Sequence, residues 1–360
     1  MYTRSVNYYL AFSLSPFGSR RFSHMLSYFG NVEKIWGADA ESLRQFEIGE
    51  KTYARFDNFR SKYNSQFEEK KLEKLSIKFV SQIDSLYPQE LFELIDPPIG
   101  IFVKGDVGVL GQKPSIGVVG TRKMTIYGKR VTENIVGGLV RRGFSIVSGL
   151  ALGVDACAHF TCVRNNGIAI AVLGTGVERA YPRENEGLYE QILDLGGCVI
   201  SEYPAGMPAT KGSFPARNRI IAALSQRLLV TEAGDGSGSL ITAKISQNLG
   251  RKVYAVPGQV GTYGAKGVNQ LLRDGGSLVE SADDIAEREG MTATSFSLDM
   301  SKFSELEQKV LQALFKEELE ADELLRQLEC SSVDLLRALS ILEIRGLIAR
   351  EGTILRVKNT

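Results

Sequence analysis

Short apolar runs alternate with amphipathic stretches through the middle of the chain, and this alternation predicts a parallel sheet. Each run has the length of a buried strand. The runs are residues 77–80, 101–104, 116–120, 145–148, 168–173, 198–201, 228–231 and 253–256. From the third run onward an amphipathic helix follows several strands, of which 127–142 is the longest. Strands and helices in this order form a mostly parallel sheet covered on both faces. We therefore predict the α/β class, with an extended Rossmann-like sheet.

Helical spacing marks the N-terminal flank, residues 1–75. Phe22, Met25 and Phe29 recur at helical intervals, and Gly30 follows where a helix would end. Further short helices are predicted behind it. Together they indicate a small helical domain of the helix-hairpin-helix-like kind, with direct DNA contact and plain packing as alternative roles.

The C-terminal flank has the pattern of a winged helix. Ser304 and Glu307 form a capping box at the start of the first of three helices, and a hairpin follows them. We assign residues 76–290 to the Rossmann-like domain, 291–302 to a linker and 303–360 to the winged helix.

Composition restricts the function classes. The chain has 360 residues, 43% hydrophobic and 24% charged, which is typical of a globular protein. With a net charge of +1, any nucleic-acid site must be a local patch. Four cysteines without a C-x-x-C pair indicate neither a disulfide framework nor a structural metal. No apolar run is long enough to cross a bilayer and no signal peptide is evident, so the predicted location is the cytoplasm.

Small residues follow four of the predicted strands. They are Gly120, Thr121 and Arg122; Ser148 and Gly149; Gly174; and Gly236, Ser237, Gly238 and Ser239. The carboxyl ends of parallel strands share one edge, where ligands bind. Since these loops match neither the dinucleotide fingerprint nor the P-loop pattern, we predict no cofactor. They instead indicate a cradle for phosphates with Arg122 at its lip.

A basic segment precedes the last of these loops. Between Tyr203 and Thr231 there is no acid, and Lys211, Arg217, Asn218 and Arg219 are candidate DNA contacts. The glycine-rich loop behind it leads into a helix predicted to begin at Leu240, and such a helix start attracts anions.

Phe214 and Tyr181, which we place in loops, are candidate faces for base stacking, with burial against the sheet as the alternative for each.

Two other patterns are less specific signals of function. Asp155 and His159 lie one helical turn apart, which fits either a general base or a buried polar pair. In the winged helix, residues 301–360 carry nine Lys or Arg against eleven Asp or Glu. Because DNA is a dense polyanion, this surface favours contact with a protein or a second copy of the chain over duplex DNA.

Seven ordered blocks resemble the DNA processing protein A (DprA, also called Smf) family of bacteria. They are residues 117–122, 147–159, 171–182, 201–204, 214–221, 237–243 and 255–258. With its flanks the resemblance covers nearly the full chain, and the N-terminal part is like the family's sterile-alpha-motif-like (SAM-like) module. Thr121 stands where many relatives have serine, and Ala223 where a glycine is common.

The resemblance implies a non-catalytic, single-stranded DNA-binding protein of natural transformation that protects incoming strands and loads RecA recombinase onto them. It also implies a homodimer and no membrane association. The alternative is an enzyme, because residues 232–239 are similar to the phosphate loop of lysine-decarboxylase-like nucleotide phosphoribohydrolases, where a nearby glutamate acts on the glycosidic bond.

Overall fold

The computed structural model describes residues 4–111, 114–262, 264–290, 303–316, 319–328, 330–345 and 347–357. The chain divides into two compact units, Met1–Ala282 and Asp283–Thr360. The predicted linker, residues 291–302, lies outside the described residues. No helix in the described part of the chain combines the length and apolar character that a bilayer span requires.

Short helices begin the larger unit, as the apolar spacing predicts. They are α1 (Arg4–Leu14), α2 (Ser19–Phe29), α3 (Val32–Gly37), α4 (Ala40–Arg44), α5 (Glu50–Lys62) and α6 (Ser65–Lys74). Phe12, Trp36 and Phe56 lie at the centre of their core, with ring centroids 5.5, 5.6 and 5.8 Å apart. The side chains of Asn31 and Asp39 accept hydrogen bonds from backbone N–H groups and so cap α3 and α4.

A mixed sheet forms the body of this unit. Its strands are β1 (Lys78–Ser81), β2 (Gly100–Gly105), β3 (Ser115–Val119), β4 (Ser145–Ser148), β5 (Ala169–Val172), β6 (Cys198–Ser201), β7 (Arg227–Val230), β8 (Lys252–Ala255) and β9 (Ser277–Leu278). Their order is β1-β2-β6-β5-β4-β3-β7-β8-β9. In this order every neighbouring pair from β6 to β9 is parallel, whereas the β1–β2 and β2–β6 pairs are antiparallel. The predicted α/β class with a mostly parallel sheet is confirmed.

Helices connect and cover these strands. They are α7 (Ile126–Arg141), α8 (Val154–Arg164), α9 (Glu186–Asp194), α10 (Ser213–Leu224), α11 (Gly238–Asn248) and α12 (Lys266–Arg273), and α13 (Ala282–Arg288) begins where the first unit ends. Short 3-10 helices occur at Gln89–Glu93, Val107–Val109 and Arg183–Asn185. Every residue of β3, β4, β5 and β6 is buried, which explains why these strands are continuous apolar runs.

The strand order reverses at β3. After β3 the chain adds β4, β5 and β6 on one side, and β7 then returns to pair with β3 on the other. Connections leaving β3 and β7 therefore diverge, and a crevice opens at their carboxyl ends. This is the position at which open α/β sheets bind ligands.

The smaller unit contains the winged helix. It comprises α14 (Glu305–Lys316), β10 (Leu319–Glu320), α15 (Ala321–Leu328), α16 (Ser332–Ile344), β11 (Ile348–Glu351) and β12 (Ile354–Val357). The predicted capping box is present: Ser304 N donates to Glu307 Oε2 at 2.8 Å, and Glu307 N donates to Ser304 Oγ at 3.3 Å. Leu311, Leu339 and Leu355 are buried in its core.

Candidate nucleic-acid interface

A cavity of about 660 Å³ occupies the crevice between the carboxyl ends of β3 and β7. Most of the predicted site residues line it. These are Gly120, Thr121, Arg122, Lys211, Phe214, Arg217, Asn218, Gly236, Ser237, Gly238 and Ser239. The parallel sheet therefore brings together loops that are more than a hundred residues apart in sequence.

The loop after β3 is held so that Arg122 projects from it. Thr121 is buried, its N–H donates to the carbonyl of Glu232 at 2.7 Å, and its hydroxyl accepts from Lys123 N at 3.1 Å. Gly153, with φ of +82°, packs directly against this loop, and a side chain there would clash with Thr121 and Arg122. Arg122 itself is exposed. The backbone is thus fixed while the guanidinium stays available.

The guanidinium of Arg122 stacks on an aromatic pair formed by Phe214 and Tyr181. Its guanidinium carbon lies 5.2 Å from the ring centroid of Phe214. The Phe214 ring is 5.4 Å from that of Tyr181, at an interplanar angle of 33°, and Tyr181 is 43% exposed. The sequence-based placement of Phe214 in a loop is wrong, because it lies in the first turn of α10. Pro215 is compatible with that turn, where backbone N–H groups have no helical acceptor.

Arg217 faces the sheet rather than the solvent. It is 4% exposed and donates hydrogen bonds to the carbonyls of Gly149, at 2.7 Å, and Val172. Burial lowers the pKa of Arg217 to about 10; Asp155 opposes this shift and nearby Arg122 adds to it. Arg217 therefore contributes charge beneath the cavity floor, which corrects its predicted role as an exposed DNA contact.

Arg219 lies on the opposite face of α10. Its Nη2 donates to both carboxylate oxygens of Glu202, at 2.8 and 2.7 Å, and its Nε lies 3.3 Å from Asp96 Oδ2. Ser19 of α2 donates to the same Glu202 at 2.5 Å. Residues two apart on a helix point about 200° away from each other. The pairing of Arg217 with Arg219 in one basic patch is thus corrected, because Arg219 ties α10 to the N-terminal helices.

The glycine-rich loop after β7 leads into the N-terminus of α11. Ser237 caps the helix by accepting a hydrogen bond from Ser239 N, and Asn218 Nδ2 donates to the Gly238 carbonyl at 3.2 Å. Asp235, an acid in this loop, is bound by Lys266 at 2.5 Å. The positive end of the dipole of this eleven-residue helix therefore faces the cavity, and the acid in the preceding loop is paired with a lysine.

Besides Arg219, three predicted contacts lie outside the cavity lining: Ser148, Gly149 and Gly174. The Ser148 hydroxyl donates to the Val118 carbonyl at 2.6 Å, and Gly149 N donates to Asp155 Oδ2 at 3.1 Å. A side chain at Gly149 would clash with the Arg217 guanidinium, and one at Gly174 would press on Phe214. These residues shape the loops from behind the cavity, and their role as phosphate contacts stays a prediction.

Lys123 and Asp155 were not among the predicted contacts of the cavity. Both line it, and Lys123 could have been inferred from its position beside Arg122.

Burial raises the pKa of Asp155, while Arg217 and hydrogen bonds from backbone N–H groups oppose that shift. Burial lowers the pKa of His159 to about 4, so its imidazole is neutral near pH 7. Both side chains are buried, but among the described residues no hydrogen bond joins them: Asp155 accepts from Gly149 N, and the two His159 ring nitrogens are buried without a hydrogen-bond partner. No group of three or more potential metal ligands occurs among the described residues.

Charge, shape and stacking surfaces together define the class of site. Within the described residues, the lining has four cations (Arg122, Lys123, Lys211 and Arg217) and two acids (Asp155 and Asp235), beside a helix N-terminus and an aromatic pair. Backbone N–H groups and cations bind phosphates, while aromatic rings stack on bases. Fold and site thus define a Rossmann-like protein whose sheet edge presents cations, a helix N-terminus and aromatic rings, groups of the kinds that suit nucleotides.

Comparison with known proteins identifies the family. The model for DNA recombination-mediator protein A matches residues 78–290, and the model for the DprA winged helix domain matches residues 301–352. The chain belongs to the DNA recombination-mediator protein A (DprA/Smf) family, as the sequence blocks predicted.

Individual relatives support this family assignment. Protein Smf of Synechocystis is 39% identical over 77% of this chain and 71% of its own. The X-ray structure of DNA processing protein A from Streptococcus pneumoniae has a TM-score of 0.69 and 32% identity, covering 78% of this chain and 97% of that one. A structure on the single-stranded DNA binding mode of the Helicobacter pylori protein has a TM-score of 0.54 and 28% identity, covering 59% and 95%.

Proposed function

We propose that the chain is a single-stranded DNA-binding protein of DNA uptake, which protects incoming strands and transfers them to RecA recombinase without catalysing a reaction. The observation that carries the proposal is the stack of Arg122, Phe214 and Tyr181 beside the N-terminus of α11. A base can stack on the aromatic pair while its phosphate meets Arg122 and the helix N–H groups. Such contacts tolerate any base, as a protein that receives foreign strands requires.

A direct binding comparison tests this function. We expect labelled oligo-dT to bind far more tightly than a duplex of equal length, because unpaired bases alone can reach the aromatic pair. RecA should also assemble faster, in the presence of the protein, on strands coated with a single-strand-binding protein. Equal affinity for single and double strands would contradict the proposal, and unchanged RecA assembly would remove its RecA step.

The competing enzyme function is disfavoured by the position of Glu232. Its carboxylate accepts hydrogen bonds from the N–H of Thr125, at 2.9 Å, and from the Thr125 hydroxyl, at 3.3 Å. It is buried between Gly128 and Gly264, away from the cavity lining. A glutamate held this way secures the start of α7 and does not face a glycosidic bond. Release of ribose 5-phosphate from nucleoside monophosphates by the purified protein would revive the enzyme alternative.

We further propose that the protein acts as a homodimer through the β9 edge of the sheet. Strand β9 ends the sheet order, and its Leu278 is 45% exposed. Unpaired edge strands with apolar residues readily associate. Light scattering should give a dimer for the wild type and a monomer for Leu278→Glu, and a dimeric Leu278→Glu would place the interface elsewhere.

A further inference from the structure

A second cavity adjoins the first at the carboxyl edge of the sheet. It has a volume of about 650 Å³. Tyr181 and Ala209 line both cavities, so the two are continuous past the exposed tyrosine ring. The second cavity is therefore reached from the first along the stack that begins at Arg122 and Phe214.

The second cavity is basic. Among the described residues, its charged lining consists of Arg179, Arg183 and Glu184. Both arginines are exposed. The Nε of Arg179 lies 3.8 Å from Glu178 Oε1, and its side chain is 60% exposed, so this ion pair is weak. The guanidinium groups remain available to an anion.

The loops that carry these arginines are anchored to the loops of the first cavity. Glu178 Oε1 accepts a hydrogen bond from Gly206 N at 3.0 Å, which joins the loop after β5 to the segment before α10. Asn185 Nδ2 donates to the Leu150 carbonyl at 2.8 Å, which joins the 3-10 helix Arg183–Asn185 to the loop after β4. The two cavities thus belong to one pre-organised surface.

We propose that a single strand bound in the first cavity leaves it past Tyr181 and that its next phosphates bind Arg179 and Arg183 in the second cavity. This inference rests on the proposed function. It adds the path that the strand follows across the two cavities, whichever its 5′-to-3′ direction. A tyrosine between two basic cavities supplies a stacking face between successive phosphate sites, which is the arrangement that single strands require. Short oligonucleotides would occupy only the first cavity, and longer ones both.

Oligonucleotides of different length separate the two sites. We would measure salt-dependent affinities of oligo-dT of about 4 and about 20 nucleotides, within and beyond the span of one compact binding site. The variants are Arg179→Ala with Arg183→Ala, Arg122→Ala, and the control Arg164→Ala. Arg164 is exposed at the C-terminal end of α8, away from the edge where α8 begins.

The double variant should bind the short oligonucleotide as the wild type does and the long one about tenfold more weakly. Its salt slope for the long oligonucleotide should fall by about 1.4, since each lost single-strand phosphate contact removes about 0.7. Arg122→Ala should weaken both lengths, and Arg164→Ala neither.

Two results would overturn the inference while leaving the proposed function intact. The first is a double variant that binds the long oligonucleotide with wild-type affinity and slope while Arg122→Ala weakens it. The second is an equal loss for both lengths, which would mean that the arginines act only through the general field of the first cavity. A wild-type protein that binds neither length would overturn the proposed function itself.

Discussion

The carboxyl edge of the sheet and helix α16 of the winged helix are both positions where their folds commonly bind nucleotides or DNA, yet their surfaces differ. At the sheet edge, Arg122 and Lys211 are exposed, while the nearby acid Asp235 is bound by Lys266. Free positive charge therefore faces the cavity, at the N-terminus of α11.

Helix α16 presents a different surface. Ser331 donates to Asp334 at 2.6 Å, and Glu343 lies 3.5 Å from Arg350, so acids are interspersed with the cations. Val333 and Ile344 are 73% and 85% exposed. An apolar and electrically mixed helix face gains little from a polyanion. The comparison teaches that a fold supplies the position of a site, while the side chains on it decide what binds.

The largest expected effect comes from reversing charge in each region in turn. Arg122→Glu combined with Lys211→Glu should weaken oligo-dT binding by more than about 100-fold, since two charged contacts of about 1.5 kcal/mol or more each are lost. Arg337→Glu on α16, combined with Arg345→Glu at its C-cap, should change affinity by less than about twofold. Fluorescence anisotropy measures both. A larger loss of oligo-dT affinity in the winged-helix double variant than in the sheet-edge double variant would contradict the comparison.

Acid should weaken the unit that contains the cavity through His159. Its folded pKa of about 4 lies below the ordinary value of 6.5, so between these pH values the unfolded state binds the proton more readily. Stability is therefore lost as the pH falls from 6.5 to 4, by about 3 kcal/mol.

Urea unfolding followed by the fluorescence of Trp36, the single tryptophan, measures this loss. His159→Leu should remove most of the dependence, and His24→Leu, at an exposed site, should keep it. Asp155 titrates in both the wild type and the variant, so its opposite contribution cancels in the difference. Equal pH dependence in His159→Leu and the wild type would show that the pKa of the imidazole is the same in the folded and unfolded states.

Removing an aromatic ring should have an intermediate effect. Phe214→Leu should reduce oligo-dT affinity by about 1–2 kcal/mol, because leucine keeps the packing but removes one stacking face. The matched change on α16, Leu336→Ala, should leave affinity unchanged, although Leu336 is 54% exposed. Equilibrium titration at one salt concentration is sufficient. Wild-type affinity in Phe214→Leu would assign that ring to packing alone.

The smallest expected effect distinguishes arginines of similar sequence context. Arg219→Gln should change oligo-dT affinity by less than about twofold, since its guanidinium already binds Glu202. Arg122→Gln should lower affinity by about tenfold. If Arg219→Gln is as damaging as Arg122→Gln in a protein of unchanged melting temperature, the assignment of α10 faces is wrong.

Much of this fold could be predicted from the sequence because strand and helix periods differ. The apolar runs at 145–148 and 198–201 coincide with β4 and β6. Parallel pairing then brings loops such as 120–122 and 236–239 to one edge without further information.

The orientation of α10 could not be predicted in the same way. In an irregular segment Arg217 and Arg219 would be expected to form one basic patch, whereas the helix at Ser213–Leu224 turns one inward and the other away. Pro215 and the closeness of Lys211 to Ser213 made the start of this helix hard to recognise in the sequence. The burial of Ser148 and Gly149 likewise depends on α8 and α10 packing over them, which local sequence does not encode.

The salt dependence of oligo-dT affinity, compared between the wild type and Arg122→Ala, tests the central claim most directly. The account predicts tight binding by the wild type, a loss of about tenfold in the variant, and a slope lower by about 0.7, which corresponds to one phosphate contact. Identical slopes and affinities for the two proteins would show that the cavity at the carboxyl ends of β3 and β7 is not where the strand binds.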